Sequence, residues 1–452
     1  MKKLKSILLL CLTVLFTAAP CLAGCGQNEA ITISVKVPRA TMMNSVSHPD
    51  VKDAKSFLSL AGEAFAAQYG EQVTVNIVEF ALGQETVAIA NTFHTEDAAD
   101  ILYDNFFNMF SFIHTGNAVP LDDLLTDELK ADLNKKYVSG GTLDETLYMM
   151  PFSSTQNILI YNKQLLKACG LDRFIAAQQS IQNWTIDEWT EILNTLAEKL
   201  PEGSYPMMMY AANNEGDTHI MSYLRAFGSE IFDEEENFNL QTEQTVQALT
   251  WMQNGVNNGW YLPRPQNRTM TQCGDMFEDG KLAFYHFNSG SSLYTEASAQ
   301  GGTERYGFVN YPGNIATFFC SGFEVFDNGN NHKIKIAKDF VRFVFEQKEW
   351  LEYSAGHIPV STSVAQRYKE DIFLLKEFYE NSVNEIHFSH NNPNWQGSDN
   401  SVRSIFYQEI AKLFEKNVDG TFAVTPLKCA EELNKVLNEA IAYGREHSTP
   451  HA

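Results

Sequence analysis

The sequence predicts an α/β protein made of two units of similar kind, and three observations carry that expectation. Strand-length apolar runs alternate with helical stripes near the start of the chain, and the same alternation restarts from Ile158. Strands that alternate with helices imply mostly parallel sheets flanked by helices. A chain of 452 residues, 44% hydrophobic and 20% charged, has apolar material for roughly two to three domains of about 150 residues each.

The elements follow in order. Lys2, Lys3 and Lys5 precede an apolar stretch from Ile7 to Ala19. That stretch is shorter than the roughly 20 apolar residues a membrane span needs, and it suits the core of a signal peptide. Thr32 to Val37 reads as the first strand. Phe57, Leu60, Ala61, Ala64, Phe65 and Tyr69 then fall on one helical stripe. Val73 to Phe80 reads as a second strand, mostly apolar on both faces, as a helix-covered sheet requires. A short helix and a third strand, Asp100 to Tyr103, follow. Ligands of such sheets sit beyond the carboxyl ends of strands, which draws attention to the loops after Val37 and Tyr103. The second series opens with the strand Ile158 to Tyr161. Thr185 and Glu188 form a capping-box start, and Trp189, Ile192, Leu193, Leu196 and Leu200 line the helix behind them. Pro206 to Tyr210 reads as a further strand. Trp184, Trp189, Trp251 and Trp350 belong to the core.

Lys plus Arg number 33 against 56 Asp plus Glu, a formal charge of −23. No basic cluster interrupts that field after the first five residues, so a nucleic-acid partner is excluded. Of seven cysteines, Cys169, Cys273, Cys320 and Cys429 lie in the body of the chain, widely spaced and outside any CxxC. They offer three disulfide pairings or four buried thiols, and no zinc ribbon. HExxH, GxSxG, GxxxxGK[ST] and GxGxxG are all missing, which argues against an enzyme. His387 and His390 are spaced for a metal but read as solvent-facing loop residues, and Asp327 to Asn330 reads as a turn. No metal and no cofactor are expected.

Leu22-Ala23-Gly24-Cys25, directly after the apolar stretch, resembles a bacterial lipoprotein lipobox. That likeness implies cleavage after residue 24, a lipidated Cys25 and a tether over 25–30; an ordinary signal peptide cut near Ala23 is the alternative. Five further segments resemble, in order, the extracellular solute-binding proteins of ABC importers, in the branch of the maltodextrin receptors. They are Ala99 to Leu125 (ADILYDNFFNMFSFIHTGNAVPLDDLL), Leu147 to Asp172 with its YNK strand, the WTIDEWTEILNTLAEKL helix, Met276 to Ser291 (MFEDGKLAFYHFNSGS), and Ser321 to Phe345 followed by GHIPVSTSVA. Together they cover nearly all of the chain after the leader.

The resemblance implies a type II periplasmic-binding-protein fold with a ligand cleft between two lobes. Lobe 1 would comprise 31–152 and 311–350, and lobe 2 would comprise 153–310 and 351–446. It also implies a lipid-anchored receptor on the extracytoplasmic face of the cell membrane. Such a receptor closes on a small solute, an oligosaccharide or sugar derivative, and hands it to the transmembrane subunits of an ABC permease. Glycerol phosphodiesters, polyamines and peptides are alternative cargoes, and a sensor for a membrane kinase or a carbohydrate-active enzyme are alternative roles. The candidate loops hold no Arg/Lys cluster, apart from Lys36, Arg39 and Arg225, which disfavours a phosphate ligand.

Sugar sites combine aromatic faces with short polar side chains. Asp104, Asn105 and Phe106 follow the third strand and suit such a site, or else cap the next helix. Ser153, Ser154 and Thr155 sit at the first crossing between lobes, where small hinge residues are the other reading. Asn288 and Ser289 follow the GKLAFYHF strand, where relatives often place an aromatic. Ser321 and Gly322 offer close backbone approach, or a tight strand start. Asn213 is a candidate of the same kind after the Pro206 strand. Trp395, in the polar loop Asn391 to Gly397, reads as a ligand platform or a staple between lobes.

Overall fold

The computed structural model describes residues 31–447 except 40, 44, 71, 82–83, 214–216, 291, 299–301, 382–383, 387–391 and 397–399. Cys25 and the expected leader and tether lie outside the described residues, as do His387 and His390.

In the first unit β1 (Ile31–Pro38), β2 (Val73–Phe80) and β3 (Ile101–Asn105) are parallel, in the order β2-β1-β3. β1 lies inside the sheet, and Ile33, Val35, Val37 and even Lys36 are buried. β2 is an edge strand with a neighbour on one side only, so its apolar side chains are mostly half-exposed, against the expectation of burial on both faces. Between them α1 (Ala54–Gln68) starts at Asp53, whose carboxylate accepts from the Ser56 amide at 2.8 Å. Its buried stripe is Phe57, Leu58, Ala61 and Phe65; Leu60, expected on that stripe, is exposed.

The 14-residue β4 (Met149–Asn162) is shared by both units. Its first half pairs antiparallel with β8 (Ile315–Val325), which also pairs antiparallel with β3. Its second half pairs antiparallel with β6 (Leu282–Phe287) and β7 (Tyr306–Val309). β5 (Tyr205–Met207), shorter than the strand expected there, joins β6 in parallel. The sheet is therefore parallel at its outer strands and antiparallel around β4. The capping box at α2 (Ile186–Lys199) is complete: Thr185 Oγ1 accepts from the Glu188 amide at 3.2 Å, and Glu188 Oε2 accepts from the Thr185 amide at 2.8 Å. Trp189, Ile192, Leu193 and Leu196 are buried beneath it. The Asp327–Asn330 turn forms and feeds α3 (Asn331–Glu346), whose first amides bond the Asn330 side chain.

The contacts of residues 351–364 differ from the sequence-based division of the chain. β9 (Ile358–Pro359) pairs with Ser154 and Ser153 of β4, the Tyr353 ring stacks on His48 at 3.8 Å, and the Ser363 amide bonds Asp132 at 2.8 Å. This stretch, expected in the second lobe, packs on the first, where Tyr353, Ile358 and Val360 fill apolar core. Further on, α4 (Val402–Leu413) and α5 (Pro426–His447) pack against each other, α5 on the helix Glu243–Asn257 and α4 on the helix Asp217–Ala226. Cys169, Cys273, Cys320 and Cys429 are buried thiols outside any disulfide. Among the described residues no helix is long and apolar enough to cross a membrane.

Candidate functional site

Burial along the central strands marks out one surface. β3 is buried except for Asn105, β4 except for Thr155, β8 except for Phe319 and Ser321, and β6 except for His286. The ladder brings the first four together: Ser321 pairs with Asn105 and with Ser153, and Phe319 pairs with Thr155. Phe107 extends this floor, its ring 4.7 Å from that of Phe319, and the Arg403 guanidinium lies 5.0 Å from the Phe107 ring. An amide, two hydroxyls and two rings, half-open in an otherwise buried sheet, suit a ligand that is polar at its edges and weakly apolar on its faces.

The floor ends where β4 is left unpaired. β7 and β8 follow one another along one edge of β4; the other edge carries β9 at Ser153 and Ser154 and β6 at residues 158–161. The carboxyl end of β6 and the start of β9 thus face each other across Thr155 to Asn157. Asn288 Nδ2 donates to Asn157 Oδ1 at 2.9 Å, and Asn157 Nδ2 donates to Thr317 Oγ1 at 2.9 Å. A Cβ placed on Gly290 would lie 3.6 Å from His357 Cε1 and 3.7 Å from Thr155 Cγ2. His357 Nε2 donates to the Met42 carbonyl at 2.9 Å, which ties the loop after β1 to the same spot. Behind Asn288, His286 Nδ1 and His219 Nδ1 approach the Tyr311 hydroxyl at 3.4 and 3.2 Å. Burial holds the two imidazoles at about 4 and about 3, so both are neutral at pH 7.

Two cavities flank this junction. One of about 420 Å³ runs along Tyr285, His286, Asn288 and Gly290 to Asp275 and Glu278. The other, about 390 Å³, lies between Ser45 and Val46 of the loop after β1 and Tyr294 and Phe373 opposite. A larger hollow of about 800 Å³ around Lys163, Lys167 and Arg305 has no wall from the first unit.

The structure sorts the residues singled out from sequence. Asn105, Thr155 and Ser321 lie on the floor; Asn288 and Ser289 lie at the junction, Ser289 with a buried hydroxyl that no protein group bonds. Asn105 also fulfils the capping alternative, its Oδ1 accepting from the Phe107 amide at 3.0 Å. The others take packing roles. Asp104, one residue before the floor, points to the opposite face of the sheet and is buried. Phe106 is fully buried against Phe318. Ser153 is buried and bonds the Tyr103 phenol, and Ser154 is buried on the far face. Trp395 is core, stacked on Phe238. Asn213 is half-buried after a loop held to the 265–268 turn, with no contact to the floor among the described residues. Gly322 serves strand packing: a Cβ there would meet the Met150 carbonyl and stand 2.8 Å from Pro151 Cα. Gly322→Ala is accordingly expected to cost about 1–3 kcal/mol in a denaturation curve; an unchanged midpoint would refute that close approach.

Phe107, Phe319, His286 and His357 were not visible from sequence. TFFCSGF is a continuous apolar run that does not reveal which phenylalanine faces out, and His357 owes its place to pairing with a strand some 200 residues earlier.

Comparison with known proteins agrees with this architecture. The model of the family "bacterial extracellular solute-binding protein" matches residues 48–349. A binding protein of Brucella abortus (strain 2308) is 21% identical over 267 residues, 57% of this chain and 61% of the relative, so the chain spans about three fifths of the curated relatives it matches. Among solved structures, an ABC substrate-binding protein from Listeria monocytogenes in complex with cycloalternan superposes with a TM-score of 0.67 at 16% identity, over 92% of this chain and all of that one. A chitin oligosaccharide binding protein gives 0.68 at 16% identity, over 91% and 99%. The GacH receptor of Streptomyces glaucescens, solved unliganded and with acarbose, gives 0.67 at 16% identity, over 92% and 99%. At such identities these structures attest the fold, a type II periplasmic-binding-protein architecture.

Proposed function

We propose that this chain, which belongs to the bacterial extracellular solute-binding protein family, captures an oligosaccharide or sugar derivative between its two lobes and presents it to an ABC permease. The observation that carries the reading is the half-open row Asn105, Ser321, Thr155 and Phe319, with Phe107 beside it. Sugar rings offer hydroxyl edges and CH faces, and this row offers amide, hydroxyl and aromatic partners in matching proportion. A ligand touching both this row and the Asn288–Gly290 turn favours the closed arrangement by its differential affinity, and no bond need be made or broken. The fold and family are those of binding proteins, and the family is extracytoplasmic. Anchoring at Cys25 through lipid belongs to the same proposal and rests on the Leu22–Cys25 motif.

The test is a thermal-shift screen of the chain from residue 26 onward against malto- and chitin oligosaccharides, monosaccharides, glycerol phosphodiesters, polyamines and peptides. A ligand at about 100 times its Kd stabilises by about 2.7 kcal/mol, which moves a melting midpoint measurably. A shift with one sugar class, the sugar recovered intact, is the expected result. Consumption of the sugar would replace the receptor with an enzyme. Arg403, beside Phe107, is the reason phosphodiesters are in the panel, and a hit there alone would overturn the sugar assignment.

A further inference from the structure

We propose that His357 is a ligand-contacting residue of this receptor, its Nδ1 accepting a hydrogen bond from a ligand hydroxyl where the two lobes meet. The inference rests on the sugar-receptor reading and adds a contact to it.

Three observations lead there. His357 directly precedes β9, whose Ile358 pairs with Ser154, so one step back along the ladder it stands opposite Thr155, the half-open residue of β4. Its Cε1, the carbon between the two ring nitrogens, comes within 3.6 Å of a Cβ position on Gly290, so the imidazole stands against the Asn288–Gly290 end of β6. Its other nitrogen is committed, because Nε2 bonds the Met42 carbonyl at 2.9 Å and a carbonyl only accepts. Nε2 therefore carries the proton, and Nδ1 of the neutral ring is left as a lone-pair acceptor. Burial depresses the pKa of this imidazole and keeps it neutral at pH 7.

Among the described residues that acceptor bonds no protein atom, although the side chain is nine-tenths buried, and the Ser289 hydroxyl, in the turn beside it, is likewise buried and without a partner there. A buried polar atom without a partner destabilises by about 1–3 kcal/mol, so two of them at one junction mark a place a donor fills. An acceptor of this kind selects for hydroxyl donors and disfavours a phosphate or carboxylate at the same position, since lone pairs would face lone pairs.

The two nitrogens can be separated by substitution. In His357→Gln the side-chain amide reaches the place of Nε2 and keeps the bond to Met42, but nothing occupies the place of Nδ1. In His357→Asn the side-chain oxygen stands near Nδ1, and the bond to Met42 is lost. Calorimetric titration would use whichever of maltotriose, maltotetraose, chitotriose or chitotetraose shifts the wild-type melting midpoint. His357→Gln is expected to bind about tenfold more weakly with its midpoint intact, and His357→Asn to melt earlier while keeping most of the affinity. The Nδ1 resonance of ¹⁵N-histidine-labelled protein should move on adding sugar. Wild-type affinity in His357→Gln, or an unmoved resonance while the sugar binds, overturns the contact and leaves the receptor standing; a bound water is then the partner. If none of the four sugars binds the wild type, the oligosaccharide assignment falls and this contact falls with it.

Discussion

Stability of the purified protein is expected to fall as pH rises from about 6.5 to about 8, the reverse of what paired carboxylates produce; at lower pH the buried imidazoles of His219, His286 and His357, depressed by burial, act in the opposite sense. Asp104 and Glu324 sit on the face of the sheet turned away from the floor. Asp104 pairs with Gly322, which places the two acids diagonally on neighbouring strands. They are 5% and 1% exposed; Asp104 Oδ2 and both oxygens of Glu324 are without hydrogen bonds, while Asp104 Oδ1 accepts from the Asn105 amide at 2.7 Å. Burial pushes the Asp104 carboxyl up to about 8, with the charge of Glu85 adding to it. Burial, with Asp104 adding, pushes Glu324 well above the usual carboxylate range. The folded chain therefore holds protons that the unfolded chain releases near pH 4. Because the folded state binds more of them, the contribution of these two carboxyls to stability declines between the unfolded and folded values, and that of Asp104 is lost above about pH 8. For Asp104 the raised value corresponds to at most about 6 kcal/mol, and relaxation around a newly formed charge lowers this to a few kcal/mol. Asp104→Asn, which keeps an oxygen for the Asn105 amide, should leave stability at pH 5 nearly unchanged and raise it at pH 9. Denaturation of wild type, Asp104→Asn and Glu324→Gln across pH 4 to 9 checks this. Variant profiles that run parallel to wild type between pH 6.5 and 9, or an Asn variant weaker than wild type at pH 9, would show that these carboxyls are solvated or paired after all.

Why Asp104 looked like a site residue shows how far the sequence could be read. Order and type of the elements were legible because they rest on local chemistry: the 185–188 capping box, the Trp189 stripe, the turn ahead of α3 and the strand at 73–80 all formed as expected. The face of a strand is different. Asp104 and Asn105 are adjacent, and a strand turns one toward the floor and the other into the core; which is which depends on the register with Ser321 and Gly322, more than 200 residues away. A single sequence carries no mark of that register. Serine at 153, 154 and 321 carried the same ambiguity, resolved only by the ladder around β4. The contacts of the passage at 351–364 were hidden for a related reason. Its apolar residues fit either unit, and the bond of Ser363 to Asp132 and the stacking of Tyr353 on His48 decide for the first.

Trp395→Ala is expected to destabilise the fold by about 3–5 kcal/mol while leaving the sugar affinity of the folded fraction unchanged. Polar neighbours on both sides made a platform or staple the natural reading of Trp395. In the fold the indole is fully buried, its ring 6.4 Å from Phe238 at an interplanar angle of 7°, with Phe232 at the same distance. The backbone around it is pinned to the start of α4: the Val402 amide bonds the Asn394 carbonyl at 2.9 Å, and the Arg403 amide bonds that of Trp395 at 3.1 Å. The surrounding polar residues serve the turn, since the Asn392 side chain accepts from the Asn394 amide at 3.1 Å and Asn394 Nδ2 donates to the Ala440 carbonyl of α5 at 3.2 Å. Truncating the indole removes the apolar contact between this turn, Phe238 and the helices behind it, and leaves a cavity that pinned backbone cannot collapse to fill. Trp395→Phe should recover part of the loss. A platform would behave in the opposite way: Trp395→Ala would keep its melting midpoint and lose sugar affinity by an order of magnitude or more. Melting and titration on the same two variants therefore separate the core role from the platform, and only the core role predicts that the melting midpoint is what moves.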